Sequence, residues 1–423
     1  MTKRTDKIYI TALHLSYGGA ERAITALANA LAEVGFDVTL LVTYKLCEPV
    51  YSLDPRVKIR YLTDRRPNRA EITVARREGH PYGLLKNLFA AGITLIRKYR
   101  TMRKALREID SGVVIASRSE HSRLLAKVAH PDVVRIAQLH QDHYFSPRLR
   151  RDYRGVFREI DTLVVLVPTF AEEIRRMMNG YNDHTDCLAI PNFLNSSEND
   201  AKDGKNEAST GKSTLDTMTG QSVRSVLYVG RLEYEKGPDR LLEVWHLLKQ
   251  YPDMHAARLT FLGDGSMSEQ LKAQAKELGI AEDVDFRGYV SAADVAAEMR
   301  VADVLAMTSR SEGFGYVLLE AMDAGLPAVA YDVRSGPAEL IVNGSTGYLI
   351  PNDRPDIFAA RLRELLTDPQ RRADFARAGR ERSQRSFSRR EIVGRWLRVL
   401  KSAAERRGVE LTPLQSREEN NGG

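Results

Sequence analysis

Residues 308–332 read TSRSEGFGYVLLEAMDAGLPAVAYD and place Glu312 and Glu320 on either side of a Gly313-Phe314-Gly315 turn. Glu320 stands between Leu319 and Ala321 in an apolar run, where an unpaired ionised carboxylate is expensive. Two readings meet that cost: an acid paired with an arginine in the core, or a carboxylate whose two oxygens accept both donors of a vicinal diol such as a ribose. A second set lies in VLYVGRLEYEKGPDRLLEVW, where Arg231 and Lys236 follow a strand pattern and precede a helical one. Two cations fixed there suit the charge on a departing phosphate ester; the alternative is a pair of ordinary basic loop residues. A third is HLSYGGAERAITALANALAEVG, in which Gly18 and Gly19 open a helix. Without a Cβ they let an anion approach the helix N-terminus, unless they only make a tight turn. His140 ends a strand pattern in AQLHQDHYF.

The elements that must position these residues alternate between short β-branched runs and longer runs of helical period, the pattern of βαβ units and parallel sheets. One series of strands is expected near 7–13, 38–43, 57–62, 113–117, 134–139, 162–167 and 187–191. A second is expected near 225–230, 257–262, 284–288, 303–308, 327–331 and 346–350. Between them runs a polar stretch, NSSENDAKDGKNEASTGKSTLDTMTGQS, with too little apolar surface to fold alone. The expected divisions are a first domain at 1–192, a linker at 193–223, a second domain at 224–386, a helix at 387–408 and a disordered tail at 409–423. Each sheet of such a doubly wound pair binds ligands beyond the carboxyl ends of its strands, so the motifs should face a common cleft.

At 423 residues, two domains are the natural division. Cys47 and Cys187 lie far apart, with neither metal-ligand spacing nor a disulfide framework, which points to free thiols in the cytosol. No apolar run is long enough to span a bilayer, and the basic start lacks the features of a cleaved leader. The net charge of +7 calls for an anionic partner. Residues 84–110 concentrate it: lysines and arginines alternate with Leu85, Leu88, Phe89, Ile93 and Ile96. That segment is either an interfacial helix on the inner face of an anionic membrane or a solvated basic face. No helix-turn-helix, zinc-knuckle or RNP-type pattern accompanies the charge, which argues against nucleic acid.

Weaker motifs carry less. GKST at 211–214 lacks the first glycine and the preceding strand of a phosphate-binding loop. FLGDGSMSEQL holds only half of a dinucleotide fingerprint, and Asp283 with Asp285 reads as turn chemistry.

Together, Glu312 and Glu320 in an E-x7-E arrangement, the Gly18-Gly19 pair, Arg231 and Lys236 in R-x4-K, PNF at 191–193 and SGPAELIVNGSTGYLIP resemble the retaining glycosyltransferases of family 4. The resemblance covers nearly the whole chain except the linker and tail. It implies the GT-B fold, an α/β architecture of two Rossmann-like doubly wound domains facing a central cleft. It implies a nucleotide-sugar donor, UDP-sugar before GDP-sugar, and a glycan, polyol-phosphate or lipid-linked acceptor. By position, Arg231 and Lys236 would clamp the diphosphate, with Gly18 and Gly19 opposite. Glu320 would bind the ribose, main-chain groups near Tyr289 the base, and Glu312 with Gly313, Phe314 and Gly315 the donor sugar. His140 would lie by the reacting centre, a place that Asp142 and His143 also contest. The family retains anomeric configuration without an evident covalent nucleophile, and neither a metal nor a cofactor is expected. Two other functions fit part of this pattern: a nucleotide-sugar epimerase on the same fold, and a non-catalytic basic scaffold or nucleic-acid binder.

Overall fold

The structure is a computed structural model that describes residues 3–64, 69–77, 80–140, 146–194 and 224–413. The GKST motif, Asp142 and His143 lie outside the described residues. The chain forms two units: Met1–Ile190 with Ile392–Gly423, and Pro191–Glu391.

In the first unit, β1 (Lys3–Thr5), β2 (Lys7–Ala12), α1 (Gly19–Glu33), β3 (Asp37–Tyr44) and β4 (Lys58–Thr63) come first. They are followed by α2 (Arg69–Arg77), α3 (Pro81–Arg107), β5 (Gly112–Ala116), α4 (Ser119–Val128) and β6 (Val133–Gln138). Then come α5 (Pro147–Arg154), β7 (Thr162–Val165), α6 (Pro168–Met178) and β8 (Asp186–Ala189). Seven strands form a parallel sheet in the order β4-β3-β2-β5-β6-β7-β8. Its central strands are apolar without alternation, as in GVVIA of β5, because both faces are covered. Six alanines let α1 pack closely on this sheet.

In the second unit, β9 (Ser225–Val229), α7 (Pro238–Leu248), β10 (Arg258–Leu262), α8 (Ser268–Glu277), β11 (Val284–Phe286) and α9 (Ala292–Val301) come first. The remainder is β12 (Val304–Met307), α10 (Tyr316–Ala324), β13 (Ala328–Asp332), α11 (Pro337–Leu340), β14 (Gly347–Pro351), α12 (Pro355–Thr367) and α13 (Pro369–Ser386). The parallel sheet runs β11-β10-β9-β12-β13-β14. Its core contains Trp245, Phe261, Tyr331 and Phe358.

Both sheets wind outward from a central strand and then resume on its other side. The order therefore reverses between β2 and β5 in one sheet and between β9 and β12 in the other. At such a switch point the two connecting loops leave in opposite directions and open a crevice at the strand ends. The loop after β9 carries Arg231 and Lys236, and the loop after β12 carries Glu312.

The chain closes with α14 (Arg389–Arg406) and β15 (Val409–Leu411). Ile392, Trp396 and Leu400 of α14 are buried. The tail expected to be disordered from 409 begins instead as a strand: β15 pairs in parallel with β1. Val409 is buried, and Arg407 holds the buried Asp161 carboxylate through two bonds of 2.8 and 2.7 Å. Three residues with one buried side chain are too short a pattern to stand out in the sequence.

Candidate active site

In the second unit the loops after β9 and β12 are fastened backbone to backbone. Gly237 is left-handed, with φ of 60°, and Pro238 follows it as the first residue of α7. A Cβ on Gly237 would overlap the Thr308 carbonyl oxygen. In return the Thr308 hydroxyl donates to the Gly237 carbonyl at 2.7 Å. The Arg310 amide donates to the Glu235 carbonyl at 2.9 Å, and the Arg310 guanidinium grips Asp239 through bonds of 2.8 and 2.6 Å. Beneath them the buried Arg240 donates to the Thr308 carbonyl at 3.3 Å and to Asn352 and Asp353 at 2.9 and 2.8 Å. Its guanidinium lies 3.9 Å from the centre of the Tyr331 ring.

This fastening brings Lys236 to Glu312, with Nζ 2.6 Å from Oε1. The Ser309 hydroxyl donates to the same oxygen at 2.7 Å, and Ser335 donates to the Glu312 carbonyl at 2.6 Å. Glu312 is only 7% exposed and the Lys236 side chain 26%. An ammonium has three donors, and Lys236 holds Glu312 with one of them. Tyr228, whose phenol burial pushes far above its usual range, donates to the Lys236 carbonyl at 3.4 Å and the Arg231 carbonyl at 3.2 Å.

The structure treats the two expected cations differently. The Arg231 side chain is 63% exposed, and it reaches Glu235 at 3.3 Å. Gly263 and Gly265 explain its loop. A Cβ at either would strike a carbonyl oxygen of that loop, Gly230 or Leu232. The GDG turn is thus a brace for the Arg231 loop, and the fingerprint reading is not needed to explain it.

Glu320 lies in the second turn of α10 and is half-buried, while Leu319 and Ala321 beside it are fully buried. The flanking residues pack inward and leave the acid partly open, so it is not the enclosed core acid that its apolar surroundings suggested. Phe314 puts its ring into the core, edge-on to Tyr316 and Phe387 at 6.0 and 6.1 Å. Its contribution to a ligand is therefore main-chain. Gly315 caps α10 without a side-chain hydrogen bond to the helix end, and Gly313 is half-buried in the same turn. Tyr289 is exposed, just after the turn in which the Gly263 amide donates to the Gly288 carbonyl at 2.8 Å. Asp283 is engaged by Lys249 and Arg258 at 3.0 and 2.7 Å, and Asp285 by Arg287 at 2.8 Å.

In the first unit the switch point collects a polar cluster that sequence reasoning missed. His14 lies 3.6 Å from Glu21 and takes a 2.8 Å hydrogen bond with the Ser16 hydroxyl. The space that Gly18 leaves is occupied by the chain's own Glu21 carboxylate, which would collide with a Cβ there. The gap expected for an approaching anion thus already holds one. Gly19 is the first residue of α1. Deeper, His121 of α4 meets the Thr11 hydroxyl at 2.9 Å, and burial holds its pKa down to about 3. Burial would raise Glu120, but Arg118 and Lys98 outweigh it and hold the acid at about 2. His140 follows β6 and is half-buried. The available signal was ASRSEHS, a run of polar residues directly after an apolar strand.

Residues 220–382 match the family profile described as Glycosyl transferases group 1. An exopolysaccharide phosphotransferase of Streptomyces coelicolor is 28% identical over 92% of this chain, which spans 40% of that protein's length. A Campylobacter jejuni alpha-1,4-N-acetyl-D-galactosaminyltransferase, named for an undecaprenol-diphosphate-linked acceptor, is 26% identical over 93% of this chain and 98% of its own. Among solved structures, Anabaena HepE in complex with UDP superposes with a TM-score of 0.67, at 19% identity over 94% of this chain and 100% of its own. The fold is GT-B, with two Rossmann-like α/β domains.

Proposed function

With a group 1 glycosyltransferase domain at residues 220–382 as the premise, we propose that this chain moves a hexosyl unit from a UDP-sugar to a glycan, polyol-phosphate or lipid-linked acceptor, with retention at the anomeric carbon, as in family 4. The observation that carries the reading is the Lys236–Glu312 pair, built at the switch point of that domain. A lysine held beside an acid by one donor is already placed for the diphosphate, and placement before reaction is what lowers the barrier to its departure. Glu312 then faces the sugar hydroxyls together with the amides of Gly313, Phe314 and Gly315. Glu320, half open on α10, takes the ribose, and the segment at Tyr289 takes the base. Arg231 reaches the diphosphate by leaving Glu235, an exposed pair that costs little to break.

The first unit supplies the acceptor, through Gly18 and Gly19 after its strand β2 and His140 after its strand β6. Attack comes from the face the leaving group vacates, and the departing diphosphate takes the acceptor's proton. Lys236 and Arg231 carry the leaving-group charge, so transfer is expected to persist after chelation of divalent metals.

Titration calorimetry with UDP tests the reading. Lys236→Ala removes a charge-assisted contact worth about 1.5–3 kcal/mol, so UDP affinity should fall about 10- to 150-fold while the thermal melt stays cooperative. Equal UDP affinity in wild type and variant would falsify the diphosphate assignment.

A further inference from the structure

Eight of the fifteen large hydrophobic side chains exposed among the described residues stand on the single helix α3. Leu85, Phe89, Ile96 and Tyr99 are among them, all more than half exposed. Their spacing of three, four and seven residues puts them on one face, a stripe about 26 Å long from Tyr82 to Tyr99 at 1.5 Å per residue. Thr94 is buried on the side away from the stripe, and the last turns of the helix are packed, with Met102, Ala105 and Leu106 buried. The helix thus turns apolar side chains outward where an ordinary surface helix turns them inward.

Charge indicates what covers this stripe. From Pro81 to Arg107 there is no acidic residue, while Lys86, Arg97, Arg100, Arg103, Lys104 and Arg107 are all exposed. Arg103 continues the line of Leu85, Leu88, Ile96 and Tyr99 at helical spacing, so the face runs from apolar into basic. Lys98 bonds Glu120 at 3.0 Å and Lys104 pairs with Glu108 at 3.8 Å, so the basic face rests on the others. Among the described residues no helix is long and apolar enough to cross a membrane. An apolar stripe flanked by cations and clear of acids fits the headgroup boundary of an anionic bilayer. A second copy of the helix would set these cations against their like.

We infer that α3 seats the first unit on an anionic membrane surface, lying in the plane of the lipid with Leu85, Phe89 and Ile96 below the headgroups and Arg97, Arg100 and Arg103 among them. The seat belongs to the first unit and stands apart from the transferase reading. Joined to that reading, it narrows the acceptor to a lipid-linked one presented at the same surface.

Flotation of the full chain tests this, with vesicles of phosphatidylcholine alone or mixed with phosphatidylglycerol and no sugar nucleotide present. The wild type should float with the mixed vesicles at least about tenfold more than with the neutral ones. A Leu85→Ser, Phe89→Ser, Ile96→Ser variant and an Arg97→Glu, Arg100→Glu, Arg103→Glu variant should both stay at the bottom. Wild type remaining at the bottom, or either variant floating like wild type, overturns the seat. So does a wild-type dimer in light scattering that the serine variant makes monomeric while no vesicle binds. Should either variant misfold, Phe89→Trp serves in its place, because the native Trp245 and Trp396 are buried. Its emission should shift to the blue on mixed vesicles, and an unmoved spectrum overturns the proposal equally. UDP binding by the second unit, measured on the same samples, separates this failure from failure of the transferase reading.

Discussion

At the switch point of the second sheet a lysine and a glutamate meet at 2.6 Å within loops pinned by arginines and a left-handed glycine. At that of the first sheet the buried group is His121, held neutral against Thr11, and the outer pair, His14 and Glu21, is looser at 3.6 Å. One fold plan thus yields two different polar interiors. In the second the lysine and the acid are fixed by close neighbours. In the first the histidine is kept uncharged, since burying an unpaired ion costs several kcal/mol.

The largest expected effect comes from breaking the pinning. Gly237→Val adds backbone strain and a clash with the Thr308 carbonyl, and should destabilise the second unit by about 3 kcal/mol or more. A two-stage melt in which only the transition of the second unit shifts would show it, and an unchanged melt removes the claim that the two loops are locked together. Arg240→Met leaves the buried Thr308 and Ser309 carbonyls short of a donor and should cost about 2–3 kcal/mol by urea denaturation; a loss below 0.5 would mean water replaces the guanidinium, as orders of magnitude go.

His121 sharpens the contrast through pH. Its folded pKa of about 3 lies below the unfolded value near 6.5, so between them only the unfolded chain takes the proton. Its stabilising contribution is therefore whole above pH 6.5 and declines as pH falls towards 3, by about 1.4 kcal/mol per pH unit. Near pH 5 the first unit should have lost about 2 kcal/mol. His121→Gln should flatten that part of the profile; matching slopes in wild type and variant would assign the acid sensitivity elsewhere. The smallest effect is Arg231→Ala, which should leave stability within about 0.5 kcal/mol because its pair is exposed. It should still weaken UDP, and a large stability loss would instead make Arg231 a structural residue.

The sheets were legible because parallel strands buried on both faces write themselves as apolar runs, and Lys236 and Glu312 because their motifs follow such runs. The difference between Arg231 and Lys236 was not legible. It depends on which loop each side chain meets across the sheet, and that is a matter of strand order, not of spacing. The role of Gly263 and Gly265 was hidden for the same reason: their neighbours, Gly230 and Leu232, belong to another loop. Arg240 escaped notice because a single polar letter inside a helical pattern does not say whether it points inward, and His121 because the polar run around it does not say which of its members does. The three-residue β15 was too short for periodicity to register.

The pairing of Lys3–Thr5 with Val409–Leu411 bears on synthesis. Because domains fold as units while the chain is being made, residues 191–391 have all they need before α14 emerges from the ribosome, whereas the unit begun earlier must wait for a strand supplied some four hundred residues later. A stop codon placed after residue 391 would therefore leave the second unit whole and take α14 and β15 from the first.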